Sequence, residues 1–276
     1  RTWASAGTAT GGEGWGDPAN ISILTGELRH VYLDNYNEDL MMSNSGGPIY
    51  YWDTGTNSTL GVPNVGDQYR LKELGDFTGS SNPPNVCDSF LVSDRDGHVI
   101  ALGCNDIGLS GHNSLMVRWS DQNNPFDWTP SPSNTSGGQM LRLGSKIIGA
   151  VNTKSEILLF TDGGVYSMRY TGPPDTFSFS IVSEGVELMT SESVLDVANI
   201  VYFMGSDKFY MYTGAVSTLE CPVQKEVFDN FNVSAREKVF AGLNTDFSEI
   251  IWFYPSSDSW EPDMYVAFNY SEKTWY

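Results

Sequence analysis

The sequence is poor in the residues that build metal centres, disulfide frameworks and nucleic-acid-binding surfaces. Its 276 residues include three cysteines and three histidines; no two cysteines form a CxxC pair, and no two histidines stand at a metal-ligand spacing. An odd, scattered set of cysteines is typical of a reducing compartment, where each serves as a small apolar residue. Only 15 lysines and arginines oppose 34 aspartates and glutamates, giving a formal net charge of -19. Because cations supply most of the affinity for phosphates, this balance disfavours wrapping of nucleic acid and adhesion to anionic membranes.

Long apolar runs are also missing. No stretch approaches the roughly 18 uninterrupted apolar residues of a membrane-spanning helix, so none is predicted. The first seven residues lack the charged and apolar blocks of a signal peptide. The chain does not begin with methionine and ends in the strand-like pair Trp275-Tyr276, so we expect part of a longer polypeptide.

Helical periodicity is nearly absent as well. One short helix is predicted near residues 223–231, where Val223, Val227 and Phe231 share a face and Pro222 stands at the start. Elsewhere the chain consists of short β-branched and aromatic runs between turn residues, such as residues 197–204, and each run predicts a strand.

The predicted strands recur as similar hairpin units. The clearest is a three-stranded meander at residues 147–170, and four similar units are visible at residues 40–52, 89–102, 200–214 and 238–270. Tyr170-Thr171-Gly172 and Tyr212-Thr213-Gly214 lie 42 residues apart, with a looser copy at residues 52–55. This period favours an all-β fold, a β-propeller of about six blades, over a β-sandwich. We assign residues 28–276 to the propeller domain and the Gly-rich residues 1–27 to an arm or first strand.

Motifs of enzymes are not found. The sequence has no nucleophile elbow, no phosphate-binding Gly-rich loop between a strand and a helix, and no His-Glu-x-x-His. Residues 94–97, Asp-Arg-Asp-Gly, resemble half a calcium loop, but the remaining ligands are missing and a hairpin turn is favoured. The sequence therefore predicts no enzyme and no catalytic, cofactor-binding or metal-binding residues.

The aromatic segment at residues 119–130 is the most unusual stretch. One interpretation makes it a long connection pinned over the core by two tryptophans. The other makes it a subunit-contact loop, because tryptophan is enriched at interface hot spots. In that case Trp119, Phe126 and Trp128 are the candidate interface residues.

Several segments, in their order along the chain, resemble one family. They are Gly-Pro-Ile-Tyr-Tyr-Trp-Asp at 47–53, Val-Ser-Asp-Arg-Asp at 92–96, Trp-Ser-Asp-Gln at 119–122, Trp-Thr-Pro at 128–130, Leu-Phe-Thr-Asp at 159–162, Tyr-Phe-Met-Gly at 202–205, Phe-Tyr-Met-Tyr at 209–212 and Trp-Phe-Tyr-Pro-Ser at 252–256. The pattern is similar to the tail hub or nozzle proteins of short-tailed bacteriophages, also called DNA-stabilisation or tail tubular proteins. The resemblance runs from about Gly11 to Tyr276.

This resemblance implies a virion structural protein that is made in the host cytoplasm and placed in the phage tail. It implies a β-propeller that assembles with copies of itself in a ring, usually a hexamer, and lines the channel through which the genome leaves. Adjacent tail proteins such as the adaptor and fibres would be further partners. The genome would pass without sequence-specific binding, and an acidic lining would suit that task because it repels phosphates.

A second function stays open at this point. A tail-borne propeller can bind or degrade carbohydrate through exposed tryptophans and paired acids. Among 34 acidic residues, some two carboxylates will lie close together in any fold. The number of acidic residues therefore does not distinguish the two functions.

Overall fold

A computed structural model describes residues 30–53, 71–93 and 95–276. The chain divides into two units, Arg1–His30 and Val31–Tyr276, and every described strand belongs to the second. The segment predicted as a Gly-rich arm or first strand, residues 1–27, lies outside the described residues.

The described strands form five four-stranded antiparallel sheets, each a meander of consecutive strands. Blade 1 comprises β1 (Val31–Tyr36), β2 (Asp39–Asn44), β3 (Ile49–Trp52) and β4 (Lys72–Glu73). Blade 2 comprises β5 (Cys87–Ser93), β6 (His98–Asn105), β7 (His112–Trp119) and β8 (Gly137–Met140). Blade 3 comprises β9 (Ile147–Asn152), β10 (Ile157–Thr161), β11 (Gly164–Gly172) and β12 (Thr176–Glu184). Blade 4 comprises β13 (Val194–Val197), β14 (Ile200–Met204), β15 (Phe209–Tyr212) and β16 (Val216–Thr218). Blade 5 comprises β17 (Phe240–Asn244), β18 (Glu249–Tyr254), β19 (Met264–Asn269) and β20 (Thr274–Trp275).

Successive blades pack face to face around their first strands. The strands β1, β5, β9, β13 and β17 contact one another in this order. Four hydrophobic clusters fill the spaces between blades 1 and 2, 2 and 3, 3 and 4, and 4 and 5. Blade 1 also reaches the segment before β13, since the Tyr32 hydroxyl lies 3.2 Å from Ser191 Oγ. The fold is therefore an all-β propeller, and its five described blades are the five units visible in the sequence.

Burial along the second strand of each blade shows which faces are covered. All five residues of β10 and all eight of β6 are buried, because these blades have a neighbour on both sides. In β2 and β18, buried residues alternate with half-buried ones. Side chains of a strand point alternately to its two faces, so blades 1 and 5 each have one face that no described blade covers.

The repeated Tyr-Thr-Gly segments occupy equivalent places in the blades. Gly172 ends β11 and Gly214 follows β15, and these are the third strands of blades 3 and 4. Both glycines have positive φ, 75° and 98°. The looser copy begins at Trp52, the last residue of β3 and again the end of a third strand. The 42-residue spacing thus measures one blade.

The predicted helix is confirmed with a small change. Helix α1 spans Gln224–Asp229, and Val227 is its buried residue. Val223 precedes the helix as its N-cap and is 38% exposed, so it does not share the buried face as expected. A 3-10 helix, Val233–Lys238, follows before β17.

The prediction of one strand over residues 197–204 is wrong at its start. Residue Val197 ends β13, and the chain reverses through Ala198 and Asn199, with φ of 54° and 66°, before β14 begins at Ile200. Two consecutive residues with positive φ make the tight turn that suits the twist of a hairpin. Alanine is not a typical residue of such a turn, so the sequence pattern predicted one continuous strand where two strands and a turn are found.

Candidate functional site

The candidate interface residues of the aromatic segment lie inside the chain's own core. Phe126 and Trp128 are 7% and 0% exposed and belong to the cluster between blades 1 and 2. The Phe126 ring lies 5.2 Å from Tyr51 and 4.9 Å from Phe77, centroid to centroid. The Trp128 indole donates a hydrogen bond to Pro125 O at 2.8 Å.

Trp119 is buried in the next space, between blades 2 and 3. It is 5% exposed, its ring centroid lies 5.2 Å from that of Phe177, and its Nε1 donates to Thr135 O at 2.9 Å. The three aromatic side chains therefore fill two interblade cores. A contact with another subunit would have to use the surface of the segment that carries them.

Sequence reasoning missed the arginine that precedes this segment. Arg118 is fully buried, and its guanidinium donates to the carbonyl oxygens of Asn82, Asn105 and Trp128 at 2.6, 3.3 and 3.4 Å. The guanidinium also lies 5.8 Å from the centre of the Trp128 ring. Burial lowers the pKa of Arg118 from its ordinary value. Because it is buried among these carbonyl groups, this cation ties blade 2 to the aromatic segment and is not available to an external anion, although its Nε has no hydrogen-bond partner.

Asp127 holds the same segment in place through its carboxylate. It accepts hydrogen bonds from Ser81 Oγ at 2.5 Å, from Asn134 Nδ2 at 2.9 Å and from the backbone N–H of Thr129 at 3.2 Å. Burial opposes its ionisation, but these hydrogen bonds outweigh burial and lower its pKa. Hydrogen bonds from within the chain thus hold the segment in place.

A buried acid connects blades 3 and 4. Glu156 is 3% exposed, and its carboxylate accepts hydrogen bonds from Tyr212 Oη at 2.6 Å, from Arg169 Nε at 3.0 Å and from Ser167 Oγ. Burial raises the pKa of Glu156, but the three donors outweigh burial and bring it below its ordinary value. Burial and the adjacent carboxylate raise the pKa of Tyr212 to about 12. Both carboxylate oxygens are occupied, so the group acts as a clamp and has no open position for a substrate.

Among the described residues, the cysteines and the other residues that could bind a metal do not form a reactive centre. Cys87 and Cys104 face each other across β5 and β6 as free, fully buried thiols, and burial raises the pKa of both, that of Cys87 to about 12. Within residues 30–53, 71–93 and 95–276, no three His, Cys, Asp or Glu side chains group together as metal ligands would.

Residues 95–97 lie in the turn between β5 and β6, as expected, with Gly97 at φ 67°. No helix in the described ranges has the length and apolar character needed to cross a bilayer.

The open face of blade 5 carries an aromatic ladder. Cross-strand register places Phe240, Phe253 and Tyr265 side by side on β17, β18 and β19. The Phe240 and Phe253 rings stack at 4.8 Å, and Phe253 and Tyr265 lie 6.2 Å apart. Tyr265 is 62% exposed and Phe240 43%. The same register adds Ile251 to this face and places one charged residue, Glu249, at its end. We call this surface the blade 5 face.

Blade 1 has a corresponding open face. Register pairs Leu33 with Met42 and Met42 with Tyr50, on the opposite side from the buried Met41. Val31 and Leu33 are 58% and 62% exposed. Blades 1 and 5, the first and last described blades, therefore each have an exposed apolar surface on one face.

Comparisons with known proteins leave the family open. No family model matches the chain, and no curated protein matches it. Among solved structures, a CNH domain described as AfRom2 is similar at a TM-score of 0.46 and 9% identity, covering 87% of this chain and 67% of that one. BamB from Moraxella catarrhalis is similar at a TM-score of 0.37 and 12% identity, and the matched part covers 85% of this chain and 60% of BamB. Likeness at this level does not bear on what the chain binds or does, and the resemblance to phage tail proteins stays a prediction.

Proposed function

We propose that this chain is a structural protein of a bacteriophage tail, where copies of it form a ring around the genome exit channel and help to retain or eject the DNA. The sequence resemblance suggests this setting. The observation that carries the proposal is the blade 5 face, an exposed apolar surface on an otherwise strongly acidic protein. Copies of the chain, in a hexamer by the resemblance, and neighbouring adaptor and fibre proteins are its proposed partners.

The charge of the chain favours the blade 5 face as a contact between copies. Each copy carries a formal net charge of -19, so two copies repel each other over most of their surface. Attraction has to come from uncharged area, and burial of apolar surface contributes about 25 cal/mol per Å². Phe240, Phe253 and Tyr265 provide such area, and exposed apolar patches commonly mark protein contacts.

The buried polar clusters support a structural role. The carboxylates of Glu156 and Asp127 and the guanidinium of Arg118 all bind groups of the same chain. Each of them joins parts of the propeller that are distant in sequence. Buried hydrogen-bonded networks of this kind favour one rigid arrangement, which suits a component that keeps its shape while DNA passes.

A pair of charge variants on blade 5 tests the proposal. Tyr265→Asp places a carboxylate on the blade 5 face, whereas Phe247→Asp places one on an equally exposed aromatic, 67% exposed, in the turn between β17 and β18. In sedimentation velocity, we expect the unchanged chain and Phe247→Asp to assemble and Tyr265→Asp to sediment as a monomer. Assembly of Tyr265→Asp equal to that of the unchanged chain would refute a contact at this face.

Glycan binding is the second candidate function, and one exposed side chain favours it. Trp260 is 65% exposed, and a solvent-facing indole suits stacking on a sugar ring. A glycan array and a reducing-sugar assay on bacterial surface polysaccharide would distinguish the two functions. A signal in either assay that is lost in Trp260→Ala would support the glycan function. No signal in both assays would exclude glycan binding and cleavage.

A further inference from the structure

A cavity of about 910 Å³ lies between the outermost strands of blades 2 and 3. Its walls come from β8 on one side and from the start of β12 on the other. The buried rings of Trp119 and Phe177 contribute to the lining, and the exposed side chains of Met140 and Ile181 stand at its rim, 52% and 48% exposed. Its volume lies within the range of pockets that hold ligands, roughly 300–1,000 Å³.

A buried hydroxyl without a partner lies in the wall of this cavity. Ser136 is 8% exposed, and its Oγ has no hydrogen-bond partner. Buried polar groups in native proteins are nearly always paired, so an exception needs an explanation. A ligand that brings a carbonyl or amide group into the cavity would pair with this hydroxyl.

The strand that follows Ser136 has a bare edge. Strand β8 is the last strand of blade 2, and no described strand pairs with its second edge. It begins with Gly137 and Gly138, where an added Cβ would lie 2.6 Å from the Trp119 ring and 2.7 Å from Met116 Cε respectively. The glycines let Trp119 and Met116 pack closely against β8, and Gln139 and Met140 complete a strand without charge. Exposed edges of this kind accept a further strand.

The opposite wall is held in an unusual conformation. Thr176, the first residue of β12, has φ of 59°, a left-handed conformation that β-branched residues rarely adopt. Its Oγ1 donates a hydrogen bond to Thr135 O at 3.0 Å, directly before Ser136. This bond joins the two walls next to Ser136. Strained residues that surrounding contacts hold in place are frequent at binding sites.

We propose that the cavity binds an extended peptide segment of another protein, which adds to the edge of β8 as a further strand. The peptide backbone pairs with β8 and with the Ser136 hydroxyl, and an apolar side chain of the peptide packs against Met140 and Ile181. The charged residues of the lining are one cation and one anion, Arg142 and Asp175, so the site selects neither sign. An extended, uncharged peptide matches the bare edge and the apolar rim. This inference does not rest on the proposed function.

The test uses a random dodecapeptide library displayed on phage and selected on the full chain, followed by titration of one enriched synthetic peptide. We expect enriched peptides with alternating apolar residues. Ile181→Asp should weaken binding at least about tenfold, because the new carboxylate loses water in the complex. Val233→Asp is the control, since Val233 is an exposed apolar residue (67%) far along the chain, and it should leave binding unchanged.

Ser136→Ala separates a binding role from a structural one. Removal of an unpaired buried hydroxyl should leave thermal stability unchanged or raise it, while peptide affinity falls. Failure to enrich any peptide, or enriched peptides whose affinity Ile181→Asp does not change, would overturn the proposal. A change in oligomeric mass of Ile181→Asp without peptide binding would also overturn it, in favour of a contact between copies of the chain.

Discussion

Glu156 is a carboxylate that its neighbours keep ionised inside the protein. Its pKa lies below the ordinary value because Arg169, Ser167 and Tyr212 donate hydrogen bonds to it. A depressed pKa means that the folded state binds the proton less well than the unfolded state. The corresponding stability is present above the unfolded value, about 4.3, and is lost as the pH falls through the folded value.

Tyr212→Phe tests this clamp at the level of one residue. The substitution removes a hydrogen bond to a charged group, and we expect a loss of about 1.5–3 kcal/mol in the free energy of unfolding at pH 7. The difference should shrink as the pH falls through the folded-state pKa of Glu156, which lies below the ordinary value, because Glu156 is then protonated in both proteins. Urea unfolding at a series of pH values measures it. Tyr265→Phe is the control: it changes an exposed tyrosine and should alter the free energy of unfolding by less than about 0.5 kcal/mol. If the loss of stability in Tyr212→Phe were the same at every pH, the account would be contradicted.

Single residues were the hardest feature to predict from the sequence. The cluster of Trp119, Phe126 and Trp128 was recognisable as unusual, but an aromatic residue in a loop-like stretch is compatible with a core or an interface. The burial of Phe126 depends on Tyr51 of blade 1 and on Phe77, which follows that blade, and the burial of Trp119 depends on Phe177 of blade 3. Arg118 and Glu156 gave no signal, because their partners are backbone carbonyls and side chains from distant strands.

At the scale of elements, the ends of the third strands depend on glycine. Gly214 has φ of 98°, and an added Cβ would have no atom within 4 Å, so any cost of a larger residue comes from the backbone alone. We expect Gly214→Ala to lower the free energy of unfolding by about 1 kcal/mol. Gly75→Ala is the control, since Gly75 lies in a 3-10 helix and its added Cβ meets only Pro83 at 3.8 Å. Thermal unfolding of both variants measures the difference, and equal stability would mean that the turn accommodates alanine without strain.

The middle strands of each blade could be predicted from the sequence, and the short outer strands could not. The strands β10, β14 and β18 carry dense apolar or alternating patterns that a buried strand requires. Outer strands such as β4 and β20 are two residues long, too short for any alternation. These short strands form because they pair with the free edge of the preceding strand. A local sequence pattern does not show this pairing.

At the scale of the whole molecule, the propeller followed from the spacing of similar units. A 42-residue period with hairpins between turn residues predicted the blades, and the interblade clusters confirm that successive sheets pack face to face. The two open faces could not be predicted, because they depend on which blades have a neighbour. They are also the feature that the proposed function needs.

Native mass spectrometry of the intact chain tests the central claim most directly. We predict a closed ring, with six copies as the expected number, and a larger assembled fraction at higher salt, because salt screens the repulsion between copies of net charge -19. A monomer at every protein and salt concentration would contradict a ring-forming protein. Assembly that weakens as salt rises would contradict contacts through the largely apolar blade 5 face.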